Sequence, residues 1–134
     1  MATFPSAEWL VALKDKLNSD AGYARIAQKW EGDLLFIIEP GGSLQNKLTY
    51  YIDLWHGACR DAYVVNEGEA PKAAFVLKGT YENFTRVMKG DLDPLQAMLT
   101  RRLGMQGNMV VMMRSVPTVL DFVRCCREVT DRIA

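Results

Sequence analysis

Hydrophobic residues at helical spacing dominate the N-terminal part of the chain. Ser6 lies where its hydroxyl can cap the first turn of a helix, and Asp20 lies where its carboxylate can cap a second one. The apolar residues of the first helix share one face: Trp9, Leu10, Leu13 and Leu17. The second has apolar residues at i, i+3, i+4 and i+7 from Tyr23 to Trp30, with Gly32 placed to end it. Two amphipathic helices are therefore predicted.

After Gly32 the spacing of apolar residues changes to the period of two that is typical of strands. His56 and Gly57 form a predicted two-residue turn, because glycine tolerates positive φ. Four strands follow from the pattern, over residues 34–39, 48–55, 58–65 and 73–78. Because three consecutive strands are joined by short connections, we expect an antiparallel meander.

The C-terminal half of the chain is predicted to be mostly helical. Thr80, Asp93 and Asn108 are placed to cap three successive helices. A fifth strand is expected at residues 102–106, before the third of these helices. A last helix with one apolar face is expected over residues 117–133.

The composition is that of one folded domain, which we expect to span residues 1–134. Hydrophobic residues make up 49% of the chain and charged residues 24%. Sixteen basic residues balance sixteen acidic ones, so the chain lacks the positive charge of non-specific nucleic-acid binders and of polybasic membrane-binding proteins. The longest apolar run, residues 34–38, is too short to span a bilayer. We therefore expect no nucleic-acid partner and no stable membrane insertion.

The cysteines and the first residues favour a reducing compartment. Cys59 is isolated, whereas Cys125 and Cys126 are adjacent, and this odd number offers no disulfide framework. Residues 1–5 have neither the basic nor the apolar region of a signal peptide. We therefore expect a cytoplasmic protein.

Patterns for catalysis or metal binding are sparse in this sequence. His56 is the single histidine and Cys59 lies three positions away, so a small enzyme using this pair is one hypothesis, without a third orienting residue. One histidine and three scattered cysteines do not supply a tetrahedral metal site, and no glycine-rich phosphate loop opens a helix. We expect no cofactor, no metal and no enzymatic activity.

Methionine is the one residue type whose distribution is unusual. Six of the seven methionines are clustered in the sequence: Met88, Met98, Met105, Met109, Met112 and Met113. The last three, together with Val116, fall at i, i+3, i+4 and i+7 of the predicted short helix. Methionine fills irregular cores and also lines adaptable apolar sites, so a core seam and a cavity wall both fit this pattern.

Two ordered motifs in the same region resemble a known family. Residues 90–98, Gly-Asp-Leu-Asp-Pro-Leu-Gln-Ala-Met, are followed by Leu103-x-x-x-Gly107-Asn108-Met109. Together they are similar to the G-K-L-D-P…A and L-x-x-x-G-[DN]-M signature of the sterol carrier protein type 2 domain. The resemblance also includes Gly32 and Asp33 before the first predicted strand, the strand meander, and the fourth strand with the segment that follows Gly79, so it covers nearly the whole chain.

This resemblance implies an α/β (α+β) fold, in which helices cover a five-stranded, mostly antiparallel sheet and enclose an apolar tunnel. Members of the family bind sterols, fatty acids, fatty acyl-CoA or other lipids without transforming them. We therefore expect a lipid or other apolar small molecule as partner, a monomer or weak homodimer, and a last helix that moves as a cover. Periodicity and the family layout predict these wall residues: Phe84, Met88, Leu99, Met105, Met109, Met112, Met113, Val116, Val119, Leu120 and Val123.

A second class of function stays open beside lipid binding. The same fold with a filled core can act as an accessory or interaction module that supports a partner enzyme of lipid or quinone metabolism. Cavity volume separates the two: a void of no more than ~100 Å³ favours the module, and ~300 Å³ or more favours a ligand pocket.

Overall fold

The core of the fold is a five-stranded sheet with helices packed on one of its faces. The computed structural model describes residues 2–134. Its strands are β1 (Ala2–Phe4), β2 (Glu31–Glu39), β3 (Leu48–Trp55), β4 (Ala58–Val64), β5 (Phe75–Thr80), β6 (Leu103–Gln106) and β7 (Thr130–Ile133). Its helices are α1 (Ala7–Ser19), α2 (Ala21–Ile26), α3 (Tyr81–Lys89), α4 (Pro94–Leu99), α5 (Met109–Arg114) and α6 (Val116–Val129). None of these helices is long and apolar enough to cross a membrane.

The main sheet has the spatial order β4-β3-β2-β5-β6. Strands β2, β3 and β4 form the predicted antiparallel meander, and β5 pairs antiparallel with β6. Strand β5 joins the sheet on the other side of β2, where the pairing is parallel. The predicted five-stranded, mostly antiparallel sheet is therefore confirmed.

Every second side chain of each central strand points to the face of the sheet that the helices cover. Phe36 of β2 lies between Tyr50 of β3 and Leu77 of β5 in the strand register. All three side chains are buried, as are Leu34, Ile38, Ile52 and Leu54 at the alternate positions of β2 and β3. This apolar surface is the floor on which the helices pack.

Each predicted helix cap is confirmed by a side-chain acceptor. The cap pairs are Ser6 with the Trp9 amide, Asp20 with Tyr23, Thr80 with Asn83, Asp93 with Leu95 and Gln96, and Asn108 with Val111. Short polar side chains at these positions satisfy amide groups that have no partner within the helix.

Both ends of the described chain meet in a short parallel pair that the sequence pattern did not predict. The predicted last helix was wrong at its C-terminus, because α6 ends at Val129 and β7 pairs with β1. Thr130 fixes this end, since its hydroxyl accepts from Trp9 Nε1 at 2.8 Å and donates to the Cys126 carbonyl at 2.7 Å. Val129 and Ile133 keep a helical spacing, so the local pattern hides the long-range pairing.

An ion-pair network ties the middle of α6 to the junction of α1 and α2. Arg124 donates to Asp20 at 2.8 Å, to Asp121 at 2.8 Å and to Glu128 at 3.0 Å. Lys16 contacts Asp20 at 3.0 Å and Glu128 at 2.8 Å. Hydrogen bonds from Arg124, then from the Tyr23 amide and Lys16, hold the pKa of Asp20 well below its usual value. Lys16 and Arg124 lower the pKa of Glu128 in the same way.

This network predicts a loss of stability in acid. A carboxylate with a lowered folded-state pKa contributes stability above its unfolded pKa and loses it as pH falls through the folded value. We expect the free energy of unfolding to fall below about pH 5. Asp20→Asn should flatten that fall, because asparagine keeps the helix cap but carries no charge.

Urea unfolding between pH 7 and pH 3 measures this dependence. The matched control is Asp15→Asn, since Asp15 is an exposed acid of α1 without an ion pair among the described residues. An Asp20→Asn profile as steep as that of Asp15→Asn would rule out this role for the network.

The turn between β3 and β4 packs tightly against α2. His56 has φ 50° and Gly57 has φ 81°, which confirms the predicted turn. A Cβ atom added at Gly57 would lie 2.5 Å from the Ala24 carbonyl oxygen. Gly68 has a similar φ of 89° but nothing within 4 Å of an added Cβ. The two glycines therefore share a positive φ and differ in their surroundings.

Alanine at these two glycines should cost different amounts of stability. Gly68→Ala is expected to lower the free energy of unfolding by about 1 kcal/mol, the cost of a left-handed residue with a side chain. Gly57→Ala should lower it by about 3 kcal/mol, because the clash with Ala24 adds to that cost. Urea denaturation measures both variants, and equal losses would contradict the close contact with α2.

Candidate functional site

An apolar cavity of about 70 Å³ lies between the covered face of the sheet and the helices. The sheet contributes Leu34, Phe36, Leu54, Leu77 and Leu103 to its wall. The rest of the wall comes from Trp30 and four helices: Phe84, Val87, Met88, Pro94, Met98, Met112, Thr118, Val119, Phe122 and Val123. Thr118 supplies a hydroxyl, and the Trp30 indole nitrogen donates to the Gly32 carbonyl at 2.9 Å. The wall is otherwise hydrocarbon and thioether, which suits an apolar ligand.

Aromatic side chains join the sheet side of the cavity to the helices that cover it. The Phe36 ring lies 5.7 Å from the Phe84 ring of α3 and 6.1 Å from the Phe122 ring of α6. Such tilted and edge-to-face pairs are favourable beyond the area they bury. Phe36 is therefore the link between the central strand and both helices.

The structure brings some of the predicted wall residues together at this cavity and not the others. Phe84, Met88, Met112, Val119 and Val123 line it. Leu99 and Leu120 are 57% and 42% exposed. The remaining predicted residues are half-buried and outside the cavity wall: Met105, Met109, Met113 and Val116.

The predicted helical face of Met109, Met112, Met113 and Val116 contributes only Met112 to the cavity wall, because the helix is broken between α5 and α6. Helix α5 ends at Arg114, and Ser115 separates it from Val116. The i, i+3, i+4 and i+7 positions therefore do not lie on one continuous helix. Met112 is the buried residue of α5, and its side chain points to the cavity.

Sequence reasoning missed the sheet residues of the cavity wall and the Trp30 side chain. The two-residue alternation of β2 and β3 carries the signal for Leu34, Phe36 and Leu54. Trp30 was expected on the second helix, but α2 ends at Ile26. The Trp30 indole packs on Phe75 at 5.3 Å and lines the cavity. Only the tertiary fold gives Trp30 this position.

The mouth of the cavity lies beside the first turn of α6. Thr118 and Val119 are the half-buried members of the wall, whereas the others are buried. The Thr118 hydroxyl donates to the Ile26 carbonyl of α2 at 3.3 Å, a long hydrogen bond across this mouth. On neighbouring α5, Val110 and Val111 are 56% and 38% exposed.

The C-terminal half of α6 has more fixed contacts than its first turn at the mouth of the cavity. Cys125 and Cys126 are fully buried, and Arg127 Nε donates to the Val87 carbonyl at 3.0 Å. Together with the Arg124 ion pairs, these contacts hold the C-terminal half of α6 in place. The sparsely packed part of the covering layer is thus α5 with the first turn of α6, rather than the end of the last helix.

His56 and Cys59 do not form a reactive pair. His56 Nε2 lies 2.5 Å from Glu31 Oε2 at the protein surface. Cys59 is buried, its thiol contacts the Asp61 carbonyl oxygen at 3.3 Å, and burial raises its pKa to about 11. A protonated buried thiol is a poor nucleophile.

One group of potential metal ligands exists among residues 2–134: Asp20, Asp121 and Cys125. Both carboxylates already accept hydrogen bonds from Arg124. Burial raises the pKa of the Cys125 thiol to about 11, which disfavours the thiolate that binds metals. The group is therefore part of the ion-pair network and does not resemble a metal centre.

Comparisons with known proteins agree with the fold. The chain is similar to a crystal structure of sterol carrier protein 2, with 32% identity and a TM-score of 0.82, over 92% of this chain and 96% of that one. A conserved hypothetical protein from Thermus thermophilus, described as possibly a sterol carrier protein, has 32% identity and a TM-score of 0.83, over 93% of this chain and 88% of that one.

A more distant structure shares the fold. It is sterol carrier protein 2 from Aedes aegypti in complex with palmitate, with 15% identity and a TM-score of 0.56, over 88% of this chain and 93% of that one. No match is found among curated proteins. The family model of the SCP-2 sterol transfer family matches residues 10–119. With most of its length matched, the chain belongs to the SCP-2 sterol transfer family of lipid-binding domains.

Proposed function

We propose that this chain binds and transfers a lipid, such as a fatty acid, a fatty acyl-CoA or a sterol-like molecule, and that the apolar cavity is where the lipid is held. The observation that carries the proposal is the wall of the cavity, in which Thr118 is the one residue with a hydroxyl. A wall of this kind offers an alkyl chain close contact without leaving polar groups unpaired.

Ligand entry has to enlarge the cavity. Its volume of about 70 Å³ is well below the roughly 300 Å³ of a small-molecule pocket. The elements at the mouth have few fixed contacts. Met112 is the one buried residue of α5, and the Thr118 hydroxyl makes a long hydrogen bond to the Ile26 carbonyl. We therefore propose that α5 and the first turn of α6 move outward when a lipid enters.

Burial of an alkyl chain supplies the energy for this movement. Each buried methylene contributes roughly 0.8 kcal/mol. About a dozen buried methylenes offset an association cost of ~4 kcal/mol or more and leave energy for the opening of the mouth. The flexible thioethers of Met88, Met98 and Met112 can follow the shape of the entering chain.

Mass spectrometry of the intact, freshly purified protein tests the proposal. We expect a co-purifying lipid that organic extraction releases, and binding of a fluorescent fatty acid by the extracted protein. Absence of both would overturn lipid binding as the function.

The small volume of the cavity favours a second candidate function. At about 70 Å³ the void lies within the range of a filled core, as in an accessory module that supports a partner enzyme of lipid or quinone metabolism. Such a module gains no stability from lipids, whereas a lipid-binding domain gains it in proportion to ligand occupancy. Thermal unfolding with and without palmitate distinguishes the two.

The proposed role is non-enzymatic, cytoplasmic, and that of a monomer or weak homodimer. The buried, protonated thiol of Cys59 supports the first point. Cys59, Cys125 and Cys126 are free and buried, in keeping with a reducing compartment. Sedimentation of the purified protein with and without lipid tests the oligomeric state, and a stable higher oligomer would contradict it.

A further inference from the structure

A second hollow, the outer groove, adjoins the mouth of the apolar cavity. It has a volume of about 490 Å³ and lies between the segment after α2 and the α5–α6 junction. Trp30 and Thr118 line both the outer groove and the cavity. A chain that leaves the cavity between these two side chains therefore emerges in the outer groove.

The outer groove carries two basic side chains that form no ion pair among residues 2–134. Lys29 follows α2 and Arg114 ends α5, and within residues 2–134 neither forms an ion pair. Its one acidic residue, Glu31, is paired with His56. Two basic residues and one acidic residue leave the groove with a local excess of one positive charge, in a chain whose net charge is zero.

The walls of the groove change from apolar to charged along the path from the cavity. Trp30 is held in place by its hydrogen bond to Gly32 and by contact with Phe75. Thr118 lies in the first turn of α6 and is bonded to the Ile26 carbonyl, and Ile26 and Val111 add apolar surface to the groove. This change from apolar to charged surface suits an amphiphile whose alkyl chain lies in the cavity and whose charged end lies in the outer groove.

We propose that the outer groove binds the anionic end, a carboxylate or a phosphate, of the lipid whose chain lies in the cavity, with Lys29 and Arg114 as its cationic contacts. The proposal rests on the function proposed above. The Arg114 guanidinium can bind either group through two parallel hydrogen bonds, and the Lys29 ammonium adds a point charge. With about 490 Å³, the groove has room for a phosphorylated headgroup as well as a carboxylate.

The test compares three ligands that share a sixteen-carbon chain: palmitate, palmitoyl-CoA and uncharged hexadecanol. In the double variant Lys29→Gln/Arg114→Gln we expect the Kd for palmitate or palmitoyl-CoA to rise about tenfold, while the Kd for hexadecanol stays unchanged. A matched double variant, Arg25→Gln/Lys72→Gln, removes the same charge from residues outside the groove and should leave all three values unchanged.

The three ligands separate the outcomes. A larger loss for palmitoyl-CoA than for palmitate identifies phosphate as the preferred group, and the reverse identifies the carboxylate. If hexadecanol binds but neither anionic ligand responds to the loss of Lys29 and Arg114, the outer groove is not the anion site and lipid binding stands. If none of the three binds to the wild-type protein, both proposals are overturned.

Discussion

Replacing Met112 with tryptophan should abolish binding of a sixteen-carbon fatty acid and leave the protein folded. Met112 is buried and lines the cavity, so the larger indole would fill the space of about 70 Å³ beside it. Because the cavity can take up the added volume, we expect the free energy of unfolding to fall by no more than ~1 kcal/mol, less than is usual for an overpacked core. Titration with a fluorescent fatty acid and urea denaturation measure the two effects.

The neighbouring methionine provides the matched control. Met113 is half-buried and outside the cavity wall, so Met113→Trp should keep the affinity of the wild-type protein. Equal loss of binding in both variants would place the ligand elsewhere. A large loss of stability in Met112→Trp, without any lipid binding by the wild-type protein, would instead indicate a filled core.

Phe36→Ala should give the largest loss of stability at the site, and a bound lipid should restore part of it. Phe36 is 6% exposed and packs against Phe84 and Phe122, so its removal is expected to cost about 3–5 kcal/mol of unfolding free energy. The space left by the ring joins the cavity, where an alkyl chain can occupy it. Palmitate should therefore stabilise Phe36→Ala more than it stabilises the wild-type protein.

Leu17→Ala separates this effect from general destabilisation. Leu17 is fully buried on α1 and does not line the cavity, and its truncation is expected to cost about 2–5 kcal/mol. Palmitate should stabilise Leu17→Ala by no more than it stabilises the wild-type protein. Urea denaturation at a fixed palmitate concentration gives the comparison, with Phe36→Leu as a milder variant should the alanine variant not fold. Equal stabilisation of the Phe36 and Leu17 variants would argue against a ligand over Phe36.

Local features of the sequence were sufficient to predict most of the secondary structure. The side chain of Asp93 followed by Pro94, for example, defines the start of α4 within three residues. The turn at His56 and Gly57 is likewise a local feature. The pairing of β1 with β7 depends on residues at opposite ends of the chain, so nothing near Val129 signals the end of α6.

The sequence predicted those wall residues that lie on the apolar face of a helix. Phe84 and Met88 lie on the buried side of α3, whose caps and apolar spacing agree. Leu99 shares the apolar character of its neighbours, but its side chain is exposed near the end of α4. The position of Trp30 depends on the early end of α2 and on Phe75 of a distant strand. Tertiary packing therefore decides which apolar residues form the wall.

The methyl groups of the methionines offer the most direct test that a lipid lies in this cavity. Met88, Met98 and Met112 line it, whereas Met105, Met109 and Met113 do not. With ¹³C-methyl-methionine protein and palmitate, we expect nuclear Overhauser contacts from the alkyl chain to the methyl groups of the first three residues and none to the other three. Contacts to Met113 but not to Met112, or no contacts to any of the six, would contradict lipid binding in the cavity.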